Sequence, residues 1–150
     1  MPRRRRYTVR ERIDARGGVR LPLDTAAVEA LAPRLLADDV EAVAIGFLHA
    51  YVNPDHERRT GDILTALLPG VAISLSHEIS PEMREYERIS TTCANAYVQP
   101  LMYRYLRSLA EALRDAGVVC PFLLMTSGGG LTTLETATAF PIRLVESGPA

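Results

Sequence analysis

Lysine is missing from this sequence, because all 17 basic residues among its 150 are arginines. A lysine nucleophile and the lysine of a P-loop are therefore excluded. Cysteine is scarce as well: Cys93 and Cys120 are too few and too far apart for a disulfide framework or a CxxC motif. No segment approaches the roughly 20 apolar residues that a membrane span requires. These absences predict a soluble protein of a reducing compartment, and we expect it in the cytoplasm, with no membrane partner.

Neither sign of charge is in excess, since 17 basic residues stand against 18 acidic ones and the net charge is -1. No global field therefore selects nucleic acid as a partner. The one basic run, Arg3 to Arg6, lacks interleaved aromatic residues and is interpreted as a solvated terminus. The hydrophobic share of 47% is enough for one globular core.

The first 40 residues predict a hairpin and a broken helix. Strand-like runs at 7–13 and 19–21 flank Gly17 and Gly18, which tolerate the positive φ of a tight turn. Asp24 is expected to cap a helix that Pro33 kinks or splits.

The next segment has the order strand, helix, strand. Apolar runs at 42–48 and 71–75 suit strands that are covered on both faces. Between them, a helix is expected to begin at Asn53-Pro54 and to end at Pro69-Gly70. This order predicts a parallel pair joined by a right-handed crossover.

A long helix is predicted from Ser90 to Ala116, interrupted at Pro100 and closed by Gly117. Large apolar residues recur along it at a four-residue spacing and share one face; they are Tyr97, Leu101, Tyr105, Leu109 and Leu113. Beyond it, 122–125 and 142–145 predict a third and a fourth strand. Thr132 and Glu135 form a capping box for a short helix between them.

Two glycine-containing loops follow the last two predicted strands. Ser127, Gly128, Gly129 and Gly130 come after the third strand, and Ser147 and Gly148 after the fourth. Loops at the carboxyl ends of parallel strands bind ligands in α/β folds, and glycines let backbone N–H groups approach an anion. The pattern matches neither GxGxxG nor the P-loop, so a flexible turn is an equally good interpretation.

The three histidines, His49, His56 and His77, have carboxylates nearby but lack metal-ligand spacing. We interpret them as loop and cap residues that hydrogen-bond locally, and we expect no metal site. The charged segment 78–88 is by default a solvated connector, although Tyr86 and the hydroxyls of 90–92 could also face a substrate. No general base stands out, so the catalytic residues are left unknown.

Several motifs in a fixed order resemble the hydantoinase/oxoprolinase family. The strongest is the stretch 77–88, His-Glu-Ile-Ser-Pro-Glu-Met-Arg-Glu-Tyr-Glu-Arg, followed by Ser90-Thr91-Thr92 and Asn95-Ala96-Tyr97. Asn53-Pro54, His56-Glu57, Met125 with 127–130, and 147–150 agree as well, so the resemblance spans essentially the whole chain. The family pattern has Asn at the position of Gly128, which is a departure.

This resemblance implies an α/β fold: part of an actin-like, ribonuclease H-type ATPase with a mostly parallel sheet and an N-terminal hairpin. It implies that residues 1–89 end the family's N-terminal region and that 90–150 begin the next domain. The parent enzyme would use ATP and Mg²⁺ to open cyclic amides such as hydantoins or 5-oxoproline. Ser127, Gly128, Gly129, Gly130, Ser147 and Gly148 would line the nucleotide or substrate cleft, and substrate or structural contacts would come from Arg88, Thr91 and Asn95.

The family's two phosphate loops are absent from this chain, one expected before it and one after it. We therefore expect a fragment that is inactive alone, needs no cofactor by itself, and depends on the remainder of the same polypeptide. A hydantoinase B-type subunit is a further expected partner. The alternative is a short non-catalytic module that docks on a full-length relative.

Overall fold

A computed structural model describes residues 2–145, which form mixed helices and strands. In chain order the elements are a 3-10 turn (Arg3–Arg5), β1 (Arg12–Ile13), β2 (Val19–Leu21), α1 (Thr25–Glu29), α2 (Ala32–Ala37), β3 (Ala42–Ile45), α3 (Asp55–Leu67), β4 (Ala72–Leu75), α4 (Ser76–Ile79), α5 (Glu85–Asp115), β5 (Leu123–Met125), β6 (Leu131–Thr133), α6 (Leu134–Ala139) and a second 3-10 turn (Pro141–Leu144). Over residues 2–145, none of the helices has both the length and the apolar character needed to cross a bilayer.

The N-terminal hairpin is confirmed, with β1 and β2 antiparallel. Its turn is organised by Asp14, whose carboxylate accepts N–H bonds of 2.9 Å from Arg16 and from Gly18. These backbone hydrogen bonds, led by that from Gly18, hold the pKa of Asp14 below its usual range. Gly17 occupies the left-handed region at φ 84°, which a residue with a side chain rarely adopts.

The broken helix after the hairpin is confirmed as well. The Asp24 side chain accepts the N–H of Ala27 and caps α1. Pro33 lies at the start of α2, so the predicted single helix is split into two short ones. Their buried residues Val28 and Leu35 join the main core with Ile45 and Leu64.

Strands β3 and β4 form the predicted parallel pair, with Ile45 opposite Leu75 in the register. Helix α3 is the crossover between them. Adjacent residues of β4 point to opposite faces: Leu75 lies against Gly61 of α3, and Ser74 bonds Gln99 of α5. The pair is thus covered on both sides, by an apolar layer at α3 and a more polar one at α5.

Helix α5 begins earlier than predicted, at Glu85, and runs through Pro100 to Asp115. The expected interruption at Pro100 is wrong. A proline removes one hydrogen bond of the helix at a cost of about 3 kcal/mol, but α5 packs against β3, β4 and the final 3-10 turn, and these contacts offset that loss. Gly117 ends the helix at φ 82°, and Val118 N–H bonds Leu113 C=O in a Schellman motif, as its glycine predicted.

The first part of the predicted apolar face of α5 lies in solvent, whereas Leu109 and Leu113 farther along are half-buried. Tyr97, Leu101 and Tyr105 are 86%, 62% and 58% exposed. The residues of α5 that are buried are mainly polar in its first half, namely Arg88, Thr92 and Asn95. The face that periodicity singles out is therefore not the face that packs on the sheet.

The C-terminal part differs from its sequence prediction at three points. Strand β5 exists but pairs antiparallel with β6, so it does not extend the parallel pair. Helix α6 is capped by Thr133, one residue later than the predicted Thr132. The predicted fourth strand at 142–145 is a 3-10 turn instead, because Pro141 has no N–H to give a ladder and the side chain of Asn95 accepts the N–H of Ile142.

Candidate functional site

A buried polar network lies at the carboxyl ends of β3 and β4, the edge at which open α/β sheets place ligands. Its centre is Glu57 in the first turn of α3, which is fully buried. Oxygen Oε1 accepts the backbone N–H of Phe47 at 2.8 Å and the hydroxyl of Ser76. Oxygen Oε2 accepts the backbone N–H of His77 at 3.0 Å and its ring Nδ1 at 2.8 Å. Four hydrogen bonds thus saturate the carboxylate and join the loop after β3 and the start of α4, which follows β4, to α3.

Arg88 supplies the positive charge of this network and is also fully buried. Its Nε donates to Ser76 Oγ at 3.0 Å, so that the hydroxyl bridges the guanidinium and Glu57. The other nitrogens donate to the carbonyls of Glu82 at 2.7 Å and Phe47 at 2.9 Å. The guanidinium lies over the Tyr51 ring at 5.4 Å from its centroid. Its direct ion pair is with Glu85, at 3.8 Å. Two buried charges need this many partners, because desolvation costs several kcal/mol for each ion.

His77 contributes an imidazole ring to the network. Its side chain is only 7% exposed, and its Nδ1 is held by Glu57. Its Nε2 is buried with no hydrogen-bond partner, and the nearest carboxylate oxygen, on Glu78, is 3.8 Å away. His56, in contrast, bonds Glu11 through Nδ1 at 2.8 Å and belongs to the contact between α3 and the N-terminal segment.

A second set of buried hydrogen bonds continues along α5. Asn95 Nδ2 donates to Ser74 Oγ at 3.0 Å and to the carbonyl of Ala139 at 3.1 Å. Its Oδ1 accepts the N–H of Ile142 at 3.2 Å. Gln99 bonds both Ser74 and Ala139 from the next turn of the helix. These bonds tie the C-terminal segment to β4 through α5.

The structure therefore places two of the three predicted contact residues in buried hydrogen-bond sets, Arg88 in the first and Asn95 in the second, and leaves the third aside. Arg88 and Asn95 are fully buried, and their bonds go to protein groups. Thr91 is half-buried, and its hydroxyl donates a hydrogen bond to the carbonyl of Glu87 in the same helix. The segment 78–88 is only partly the solvated connector expected by default, since Ile79 and Arg88 are buried and 85–88 already belong to α5.

The glycine loop at Ser127, Gly128, Gly129 and Gly130 is the turn of the β5–β6 hairpin and does not lead from a strand into a helix. Thr126 N–H bonds the Gly130 carbonyl, and Gly129 takes φ 80°. Ser127 donates its N–H and its hydroxyl to the carbonyl of Arg143, at 2.8 and 3.0 Å. No atom lies within 4 Å of a side chain built at Gly128 or Gly129, so this loop is open. The other predicted cleft residues, Ser147 and Gly148, lie outside the described residues.

Sequence reasoning missed Glu57, Ser76 and His77 as one constellation. The interpretation of His56 and His77 as locally bonded residues is wrong, because their partners Glu11 and Glu57 are 45 and 20 positions away. The available signal was the placement of His-Glu after one predicted strand and Ser-His-Glu after the next, since these loops meet at one edge of a parallel pair. Among residues 2–145, no three His, Cys, Asp or Glu side chains form a group that could hold a metal ion.

Two family models match the chain. The hydantoinase/oxoprolinase N-terminal region matches residues 1–68, and hydantoinase/oxoprolinase matches residues 88–150. An uncharacterised protein of Methanocaldococcus jannaschii is 43% identical over 148 residues, which is 99% of this chain and 22% of that protein. Caprolactamase subunit alpha of Pseudomonas jessenii is 36% identical over 150 residues, covering 100% of this chain and 22% of the relative.

Solved structures agree with these sequence relatives. The crystal structure of ATP-dependent caprolactamase from Pseudomonas jessenii superimposes with a TM-score of 0.85 at 35% identity, over 95% of this chain and 21% of that one. The nucleotide-free structure of acetone carboxylase gives a TM-score of 0.78 at 28% identity, over 91% of this chain and 20% of that one. The predicted α/β fold is confirmed, and the chain spans about a fifth of the length of these relatives.

Proposed function

The chain belongs to the hydantoinase/oxoprolinase family, and we propose that it forms part of a longer ATP-dependent enzyme that opens cyclic amides of the hydantoin or 5-oxoproline type. The observation that carries this proposal is the match to ATP-dependent caprolactamase, whose name denotes action on a cyclic amide. That match covers 95% of this chain with a TM-score of 0.85. The chain alone is proposed to be inactive, because it corresponds to only 21% of that enzyme.

ATP has a clear chemical purpose in such a reaction. An amide carbon is a poor electrophile, because nitrogen donates electron density into the carbonyl. Transfer of the γ-phosphoryl group to the amide oxygen releases ADP and activates the carbon. Water then adds to that carbon, and the tetrahedral intermediate breaks its C–N bond to give an acyl phosphate and the free amine. A second water releases phosphate from the acyl phosphate and leaves the carboxylate. Phosphoryl transfer depends on positioned groups that neutralise the developing charge.

Mg²⁺ would supply part of that charge neutralisation in the complete enzyme. The described residues do not fit it: they contain no cluster of three metal-ligating side chains, and the oxygens of Glu57 are already saturated by four hydrogen bonds. We therefore assign Mg²⁺ binding, and binding of most of the ATP, to the remainder of the polypeptide.

The residues of this chain are proposed to shape two parts of the active enzyme. The network of Glu57, Ser76 and Arg88 fixes the loops at the edge of the parallel pair. The open loop 127–130, together with Ser147 and Gly148, is proposed to face the nucleotide or substrate cleft. An open glycine turn whose backbone has few protein neighbours suits close approach of an anionic ligand, which supports this part of the proposal.

Further protein is proposed to cover the exposed apolar face of α5 at Tyr97, Leu101 and Tyr105. Three large apolar side chains in one row, each more than half exposed, are typical of a surface that is buried in a larger assembly. The remainder of the same polypeptide is the proposed partner, with a hydantoinase B-type subunit as the next. The cytoplasm is the proposed location.

The first test is the intact mass, in the source cell, of the polypeptide that contains the peptide Glu85-Tyr86-Glu87-Arg88. A mass several-fold above 16.5 kDa supports the proposal. A stable product of 16.5 kDa that binds a full-length relative without hydrolysing ATP favours the docking module instead.

The second test uses the complete polypeptide, with any copurifying subunit, in an ATP hydrolysis assay. Hydantoin, 5-oxoproline or a lactam should stimulate ADP release with matching ring opening. Stimulation only by a ketone with bicarbonate would replace ring opening with carboxylation, the reaction class named for acetone carboxylase. Gly129→Val should reduce coupled turnover, since Gly129 has φ 80°, and full turnover in this variant would refute the role of the loop.

A further inference from the structure

Two ring nitrogens are buried without a hydrogen-bond partner among residues 2–145, and both follow strands of the parallel pair. They are Nδ1 of His49, after β3, and Nε2 of His77, after β4. A buried polar atom that is left unpaired costs about 1–3 kcal/mol. Such atoms at the ligand-binding edge of an α/β sheet call for a partner that the described residues do not provide.

The hydrogen bonds of His77 fix which ring nitrogen carries the proton. Glu57 Oε2 accepts the backbone N–H of His77 and also lies 2.8 Å from its Nδ1. A carboxylate only accepts hydrogen bonds, so Nδ1 donates a proton to it. In the neutral imidazole, Nε2 therefore presents a lone pair and acts as an acceptor.

Glu78 does not satisfy this lone pair. Its carboxylate oxygen is 3.8 Å from Nε2, which is beyond hydrogen-bonding distance, and its side chain is 49% exposed. A carboxylate near an acceptor nitrogen also offers no proton. The missing partner of Nε2 is a donor.

The backbone at His49 points to the same edge independently. His49 has φ 58°, a left-handed conformation that is costly for a residue with a side chain, and its Nδ1 is buried without a partner. Strained conformations of this kind concentrate at ligand sites, where the surrounding structure maintains them. The loop after β3 thus carries strain and an unpaired imidazole, while the loop after β4 carries a second one.

We propose that His77 contacts a small ligand at this edge, with Nε2 accepting a hydrogen bond from an N–H or O–H group, and that Glu57 is the positioning residue that orients the ring. This proposal rests on the proposed function, from which we take the donor to be the ring N–H of the cyclic amide. The same lone pair is placed to take that proton when the amide oxygen is phosphorylated by ATP, which leaves an O-phosphorylated imidate whose C=N nitrogen is uncharged, and an imidazolium held by Glu57.

The test compares two amide replacements in the complete polypeptide. His77→Asn places an amide where Nδ1 was, so it keeps the bond to Glu57 and removes Nε2. His77→Gln reaches the position of Nε2 but gives up the bond to Glu57. Glu78→Gln serves as the matched control, because it changes a neighbouring exposed carboxylate. Thermal unfolding, cyclic-amide-dependent ATP hydrolysis and calorimetric binding of hydantoin are measured for each.

A ligand contact predicts that His77→Asn unfolds near the wild-type temperature but loses about tenfold or more in kcat/KM and hydantoin affinity. His77→Gln should unfold at a lower temperature and retain more activity than His77→Asn. The reverse order, with His77→Asn fully active and His77→Gln both unstable and inactive, assigns His77 a purely structural role and overturns the proposal.

A crystal structure of the complete polypeptide provides a readout that does not depend on activity. If a protein group from another segment lies within about 3.2 Å of Nε2, the proposal is overturned, because the lone pair is then already paired. If Nε2 faces a water-filled or ligand-filled cavity, the proposal is supported. Wild-type protein with such a cavity but no ATP turnover on any cyclic amide would refute the proposed function and leave a site for a different N–H or O–H ligand.

Discussion

The charge of Glu57 is predicted to hold together the loops that follow β3 and β4, and Glu57→Gln tests this without a change of size. The carboxylate accepts four hydrogen bonds, two on each oxygen. Glutamine replaces one of these oxygens with an NH₂ group. If the NH₂ lies on the Oε1 side, Ser76 can turn its hydroxyl to accept a hydrogen bond from it. The backbone N–H of Phe47, however, then faces another donor and has no acceptor. If the NH₂ lies on the Oε2 side, the His77 ring can change tautomer so that Nδ1 accepts. The backbone N–H of His77, however, then faces another donor and has no acceptor.

One buried backbone N–H is therefore unpaired in either orientation, which costs about 1–3 kcal/mol. The remaining hydrogen bonds lose the strength that the negative charge gave them, and Arg88 loses the buried negative charge to which Ser76 links it. Together these effects amount to about 3 kcal/mol of local opening free energy. That equals an increase on the order of a hundredfold in the exchange rate of the amides concerned.

Hydrogen exchange followed by mass spectrometry on the complete polypeptide measures this effect locally. Peptides covering 46–50 and 76–80 should exchange faster in Glu57→Gln, whereas the hairpin peptide 12–21 should not change. Glu78→Gln, which alters a half-exposed carboxylate beside the same loop, is the matched control. Exchange of both loop peptides within about threefold of the wild type would refute the reasoning, since the charge would then not be what fixes them.

Three further predictions concern packing at Gly46, the hydrogen bonds that attach the C-terminal segment to α5, and the hairpin turn. Gly46→Ala should destabilise the protein by about 1–3 kcal/mol in urea unfolding, because a Cβ there would lie 2.7 Å from Ile89 Cγ1. Asn95→Ala removes bonds to Ser74, Ala139 and Ile142, so trypsin should cut the C-terminal segment about tenfold faster. The lowered pKa of Asp14 means that its stabilisation is present above about pH 4 and is lost as pH falls further, which amide NMR shifts of the turn will follow.

Each of these predictions has its own control. Gly128→Ala should leave stability unchanged, because nothing lies within 4 Å of a Cβ at that position. Equal tryptic cutting in wild type and Asn95→Ala would show that the segment is held by other contacts. In Asp14→Asn the acid transition of the turn should disappear, and a transition that persisted there would have to come from another carboxylate.

Much of the fold could be predicted from local patterns alone. Glycines in the hairpin turn, Asp24 before its helix and Pro33 at a helix start act within a few residues of themselves, so their effects appear directly in the sequence. The parallel pair also followed, because two apolar runs separated by one capped helix leave few alternatives. Family resemblance extended this to the whole architecture, which the structural relatives confirm.

The candidate site could be predicted only in part. Arg88 and Asn95 stood out in a motif, but apart from Glu82 the partners cited here are 12 to 47 positions away, and no local pattern connects them. Glu57 and His77 resembled ordinary cap and loop residues, because spacing alone does not reveal that two loops meet. Residues 142–145 have strand composition, yet the side chain of Asn95 in α5 accepts the N–H of Ile142, which a strand would need for its ladder.

The sequence by itself determined the identity and order of most elements as far as α5, since propensity, capping and apolar runs act over short distances. Only the tertiary structure decided which polar groups became partners, because burial turns a hydrogen bond that is optional in water into a requirement. It also decided the fate of the two faces of α5: the first part of the periodic apolar face is exposed here, and the face with Arg88, Thr92 and Asn95 is buried. Helical periodicity identifies a face, but the groups available on the neighbouring sheet determine whether that face is the one that packs.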